Sequence, residues 1–250
     1  MTQLQLESLF KQLGSPDPTT LAETTKHFTI KEGEKRDQII IDYFGRKGIN
    51  RIVNIIARIL LEPPELPSNA NILDVGAGSG FLTVRIAKKI KESFPGVSFY
   101  AMDLTPAMLL SFAKKKTDIT LLVGIAENIR GSIKEARKFF DIPYRFDAIF
   151  STLMLHHNSQ PARVFESFRR VLKKNGKAAV VDLCKHGFED FRTEMGDVHL
   201  GFKPSEICKM GQENFEEVRV ERLEGIRCES SGGSAEIFVA VMKKPMQKPG

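Results

Sequence analysis

Asp74 stands two residues ahead of Gly76, Gly78 and Gly80, inside the stretch NILDVGAGSGFLT that runs from Asn71 to Thr83. Ile72, Leu73 and Val75 form a short apolar run that predicts a buried parallel strand, and Phe81–Ile90 carries helical periodicity. Strand, glycine turn and helix make a unit whose backbone can approach a ligand closely. No Cβ stands in the way, and the first helical turn offers free N–H groups. A nucleotide-like ligand is expected there. A second carboxylate, Asp103, follows the next predicted strand, Val97–Met102, on the carboxyl edge of the sheet beside that turn. In that place it can accept both hydroxyls of a ribose. Thr105 and Pro106 then read as the N-cap and first residue of a helix directly behind it.

The spacing separates two ligand classes. A dinucleotide fingerprint requires its third glycine where this chain has Phe81, and a carboxylate at Asp74 suits a cationic amino-acid end better than a pyrophosphate. Acid first, then G-x-G-x-G, resembles motif I of class I S-adenosylmethionine (SAM) methyltransferases. The resemblance implies SAM as cofactor and S-adenosylhomocysteine as product. It implies that Asp74, Gly76, Ala77, Gly78 and Gly80 hold the amino-acid end, and that Asp103 and Leu104 hold the ribose. The family's adenine segment often reads Gly-Asp-Ala-Glu, whereas this chain has Gly124-Ile125-Ala126-Glu127. Ile125 is therefore expected to pack on the ring, with the Ala126 backbone hydrogen-bonding to it. Glu127 either flanks the cofactor or complements a helix dipole.

The elements that must position these residues follow in order. Gln38–Leu61 is largely helical by pattern, with Ile52, Ile55, Ile56, Ile59 and Leu60 on one face and Arg51, Asn54 and Arg58 opposite. N-terminal helices in the resembled class often cover the cofactor, and the Tyr43-Phe44-Gly45 corner is placed for that role; packing against the sheet is the alternative. Ile119–Val123 and Phe146–Phe150 read as the third and fourth strands. The exit of the fourth, from Ser151 through His156 and His157, is expected over the reacting methyl group. Pro161 opens a helix that Asn175-Gly176 stops, and Ala178–Asp182 is the fifth strand. Helices are expected from about Gly187 to Lys209, then strands Glu217–Leu223 and Glu236–Met242 around a turn at Glu229–Ser234. By resemblance the fold is an α/β, Rossmann-like, doubly wound, mostly parallel seven-stranded sheet with a final antiparallel hairpin and an N-terminal helical extension. Residues 1–67 form that extension or lid, 68–244 the SAM-binding domain and 245–250 a flexible tail.

Composition narrows the class further. A chain of 250 residues with 42% hydrophobic content can bury a full core. The net charge of +6 is partly a Lys-rich tail, Lys243, Lys244 and Lys248, so it is weak ground for a nucleic-acid partner. Cys184, Cys208 and Cys228 are odd in number, widely spaced and free of any C-x-x-C pair. They fit reduced thiols in a cytoplasmic protein, and no metal-ligand spacing is read. The N-terminus shows no secretory pattern, and Ile49–Leu61 is too short and too interrupted to span a bilayer.

Within its class, FDAIFSTLMLHH…RVLKKNGKAAVVDL resembles the small-molecule branch typified by quinone-biosynthesis C-methyltransferases. Asp182…His186 followed by GDVHLGFKPSEI resembles catalytic domains fused to arsenic-repressor-type regulators. A small-molecule acceptor is the implied partner, and a base is required only if its nucleophile must lose a proton. His156, His157, His186 and His199 are the candidates, with His156, His186 and His199 expected to face one cavity. Three alternatives are weighed. An RNA 5-methylcytosine enzyme would use Cys184, but its companion Pro-Cys is missing; a metalloid acceptor would need three converging thiolates; a SAM-binding sensor would have lost turnover.

Overall fold

The computed structural model describes residues 2–15, 17–26 and 30–244. The expected tail at 245–250 lies outside them. Seven strands form one sheet in the order β3-β2-β1-β4-β5-β7-β6. β1 (Asn71–Val75), β2 (Ser98–Asp103), β3 (Thr120–Val123), β4 (Phe146–Thr152) and β5 (Leu172–Leu183) are parallel. β7 (Ser234–Lys243) runs antiparallel between β5 and β6 (Glu217–Glu229). The chain reverses its direction of growth between β1 and β4, which opens a crevice at the carboxyl ends of those strands.

Alternation along buried strands feeds two separate cores. Ile72, Phe99, Ala148, Phe150 and Val181 face one side, under α3 (Ile30–Leu61) and α4 (Phe81–Lys91). Leu73, Met102, Ile149, Ala178 and Val180 face the other, under α6 (Ile129–Ala136) and α7 (Pro161–Val171). α5 (Pro106–Ala113) follows β2 with Thr105 as its N-cap and Pro106 in its first turn, as the sequence predicts.

The N-terminal region is more extensive than its periodicity suggests. α1 (Gln3–Gln12) starts in a reciprocal cap between Thr2 and Gln5, and α2 (Pro18–Lys26) packs against it. Leu6, Phe10, Leu13 and Ala22 join Ile125 in a small third core, with Leu104 packed on it. α3 begins at Ile30 rather than Gln38 and bends at Gly45, whose φ of 62° and ψ of 161° are not helical. At its far end, the buried Lys177 amine of β5 donates to the carbonyls of Leu60 and Glu62, capping the helix.

Three boundaries differ from expectation. α7 ends at Val171 and β5 begins at once, so Asn175-Gly176 lies inside the strand. Asn175 adopts a φ of 60° there, and the pairing to β4 shifts register between Phe146 and Ala148. The helices expected from about Gly187 to Lys209 are α8 (Asp190–Met195) and α9 (Pro204–Gln212), the second running beyond Lys209. Gly196, with a φ of 77°, ends the first, and 197–203 becomes a strap across the sheet edge. Among the described residues no helix is long and apolar enough to cross a membrane.

Candidate functional site

The glycine turn is fastened to β2 by the Gly76 and Ala77 N–H groups, which donate to the Met102 carbonyl at 2.8 and 3.0 Å. Its three glycines answer to different constraints. A Cβ on Gly76 would strike the Met154 side chain, and one on Gly80 would strike the Phe112 ring at 2.5 Å. A Cβ on Gly78 would meet nothing within 4 Å. Gly78 thus leaves room for a ligand, whereas Gly80 serves the packing of α5 and touches neither cavity described below.

The two carboxylates part company. Asp103 lines a cavity at the carboxyl end of β2, where Oδ2 accepts from the Gly78 N–H at 2.7 Å and Oδ1 from the Thr105 N–H at 2.8 Å. Asp74 is fully buried and lines neither of the two cavities described below; its Oδ2 accepts from the Thr83 hydroxyl at 2.6 Å. Burial, with the charge of Asp103 adding to it, pushes the Asp74 carboxyl up to about 8 despite the Thr83 bond. The motif implies that Asp74 holds the cofactor's amino-acid end; the structure places its carboxylate in the core beneath α4, on neither cavity. Alternation along β1 turns it toward α4, where it ties the first helical turn to the strand. Ser151 is likewise buried outside the cavities, its hydroxyl donating to the Val75 carbonyl at 2.7 Å.

Two cavities adjoin on the carboxyl edge. The first is lined by Asp103 and Leu104, by Ile125, Ala126 and Glu127 after β3, and by Leu21 and Thr25 of α2. Burial raises the Glu127 carboxyl. The second is lined by Ala77, by Ile40, Tyr43 and Phe44 of α3, and by Thr152, His156 and Cys228. Arg36, Gly76, Gly78, Leu153 and His157 border both. Leu153, at the exit of β4, holds a φ of 57°, a backbone strain that the Leu153 N–H bond to the Val181 carbonyl helps sustain.

Of the three histidines expected around one cavity, His156 alone reaches it. His186 packs against Phe188 and Phe191, and His199 against Phe202, and neither lines either cavity. The strap brings in a different partner, Asp197. His156 Nδ1 lies 2.6 Å from Asp182 Oδ1, and its Nε2 faces Asp197 Oδ1 at 3.5 Å. Burial disfavours the His156 cation, but the charge and hydrogen bond of Asp182, together with Asp197, outweigh it and raise the imidazole. Burial and the neighbouring His156 charge hold His157 well below its usual value. Arg36 and Asp197 were missed by sequence reasoning: Arg36 belongs to no motif, Asp197 lies in the GDVHLGFKPSEI segment but was given no role there, and both arrive by tertiary contact.

The N-terminal helix is stapled to the turn. Asp37 of α3 accepts from the Ser79 hydroxyl at 2.7 Å and pairs with Lys115 beyond α5. This bridge has no local spacing signal, since 42 positions separate Asp37 from Ser79.

A family model described as a methyltransferase domain matches residues 66–222. The ubiquinone/menaquinone biosynthesis C-methyltransferase UbiE of Rickettsia prowazekii is 28% identical over 126 residues, covering 50% of this chain and 48% of the relative. The chain thus spans about half the length of the curated relatives it matches. Phosphoethanolamine N-methyltransferase 2 of Haemonchus contortus, solved with S-adenosyl-L-methionine, has a TM-score of 0.58 at 17% identity, over 77% of this chain and 53% of that one. The [4+2]-cyclase SpnF has a TM-score of 0.57 at 14% identity, over 81% and 84%. The likenesses at these identities establish the fold alone.

Proposed function

Because the chain belongs to the methyltransferase-domain family, we propose that it is a SAM-dependent methyltransferase acting on a small-molecule acceptor. The observation that carries this reading is the pair of adjoining cavities that meet at Gly78, Leu153 and His157. One has a carboxylate and an apolar slot; the other is walled by apolar and aromatic side chains. The residues fit the cofactor: Gly78 leaves the space a Cβ would fill, and Asp103 stands at the strand end where ribose hydroxyls bind. Leu104, Ile125 and the Ala126 backbone would hold the adenine, while Asp74 keeps the turn in shape through Thr83.

When bound, SAM supplies a methyl group on a sulfonium, an electrophile open to in-line displacement. Tyr43, Phe44 and Leu183 would exclude water and orient the acceptor in the second cavity, where proximity does most of the work. His156 and His157 are the imidazoles that line that cavity. An RNA reading through Cys184 is disfavoured. The thiol lines neither cavity, and burial pushes it up to about 11, far from a thiolate at neutral pH. Three free cysteines suit a reducing cytoplasm.

Calorimetric titration with S-adenosylhomocysteine tests the reading. The parent should bind it, and Gly78→Val should abolish binding, because the valine side chain would occupy the ligand's space. Asp103→Ala should weaken affinity at least about tenfold, since hydrogen bonds to a charged group contribute about 1.5 to 3 kcal/mol each. Equal affinity in parent and both variants refutes it.

A further inference from the structure

Asp197 is a carboxylate with no exposed side-chain surface, and neither of its oxygens has a hydrogen-bond partner among the described residues. Burying a carboxylate without donors is costly, and such a group calls for a compensating charge. Two imidazoles stand beside it. Nε2 of His156 is 3.5 Å from Asp197 Oδ1, and Nδ1 of His157 is 4.0 Å from the same atom. These separations are too long for hydrogen bonds. Nδ1 of His157 donates instead to the Gly196 carbonyl at 3.2 Å, a bond that metal ligation through this nitrogen would replace. The edge of a tetrahedral coordination sphere for metal bonds of about 2.05 Å is about 3.3 Å, so the His156 separation matches it and the His157 ring would have to draw in. One ligand atom from each of His156, His157 and Asp197 lies within 4.8 Å of the others.

We propose that His156, His157 and Asp197 form a binding site for a single divalent transition-metal ion of the zinc class, on the wall of the second cavity. The donor set is two imidazole nitrogens and one carboxylate, which suits ions of borderline softness and not the all-oxygen preference of magnesium or calcium. Its supports are already in place. Asp182 Oδ1 accepts from the Nδ1–H of His156, which leaves Nε2 as the nitrogen that faces Asp197. Asp182 is itself fixed, accepting from the Leu155 and Leu183 N–H groups at 2.8 and 2.7 Å. The strap that carries Asp197 is docked on His156: the Val198 and His199 N–H groups both donate to the His156 carbonyl, at 3.2 and 2.9 Å. Arg192 holds the same strap through the Asp197 and Val198 carbonyls.

With three protein ligands the ion keeps further coordination positions, and His156 and His157 line the acceptor cavity. An acceptor carrying an ionisable oxygen or sulfur donor would bind there in its deprotonated form. This consequence rests on the transferase reading above; the metal site itself does not.

The experiment is zinc titration of the purified chain after exhaustive chelation, with cobalt as a spectroscopic stand-in. One zinc per chain is expected, and Cys208→Ser, which lies off both cavities, should leave it intact. His157→Ala and Asp197→Ala should each abolish stoichiometric binding, while Asp182→Asn should weaken it about 10- to 100-fold. Independently of any variant, the cobalt form of the parent should show d–d absorption without a thiolate charge-transfer band. No zinc uptake by the parent, one zinc per chain persisting in both alanine variants, or a thiolate band in the cobalt form would each overturn the assignment. S-adenosylhomocysteine binding is measured on the same samples, so loss of one site is distinguished from loss of the other.

Discussion

Asp74 meets the rest of the molecule through one oxygen on Thr83, and its other oxygen has no hydrogen-bond partner among the described residues. With its carboxyl raised from 3.8 to about 8, the folded chain keeps a proton that the unfolded chain releases. Stability from this group is therefore intact below about pH 4 and falls as pH climbs toward about 8. Asp74→Asn should flatten that decline; urea unfolding of parent and variant across the range measures it, and parallel slopes would contradict it. The motif that drew attention to Asp74 was legible because its residues are adjacent in sequence. What each one touches was not, because the direction of a side chain depends on which face of β1 it takes. The same limit hid Asp197, which reaches His156 only after the strap folds over the edge of the sheet.

Elements were read well where a period runs unbroken. The apolar stripe of α3, the strand after each turn and the proline-led starts of α5 and α7 all show in the sequence. Boundaries set by tertiary packing did not, as with the early start of α3 and the entry into β5. The corner at Tyr43-Phe44-Gly45 falls between these cases. Gly45 lets α3 leave the sheet core and bring Ile40 and Tyr43 over the second cavity. Space around it is open, yet its φ and ψ belong to a region that only glycine occupies without strain. Gly45→Ala should cost about 1 to 3 kcal/mol in chemical denaturation, with no steric clash to explain it. A variant as stable as the parent would mean that the corner can relax into helix.

At the scale of the molecule, ligand-facing residues come from the ends of β1, β2 and β4, from the segment after β3, and from helices that precede the sheet. Binding at such a junction couples the N-terminal helices to the core. At a concentration 100 times its dissociation constant, S-adenosylhomocysteine should add about 2.7 kcal/mol to stability. For a chain of this size that corresponds to a rise in Tm of roughly 5 to 10 °C. Scanning calorimetry reads the shift, and RNA should produce none if the +6 charge has no nucleic-acid role. A shift with RNA alone would reverse the choice of acceptor.

Asp37 joins three parts of the chain, the covering helix, the glycine turn and the segment behind α5. Ser79 also lines the second cavity, so these contacts hold part of its wall in place. If their opening limits product release, the parent should show a burst of product in its first cycle. Asp37→Ala would remove the burst, speed the steady state and loosen S-adenosylhomocysteine. Identical transients in both proteins would place the slow step elsewhere.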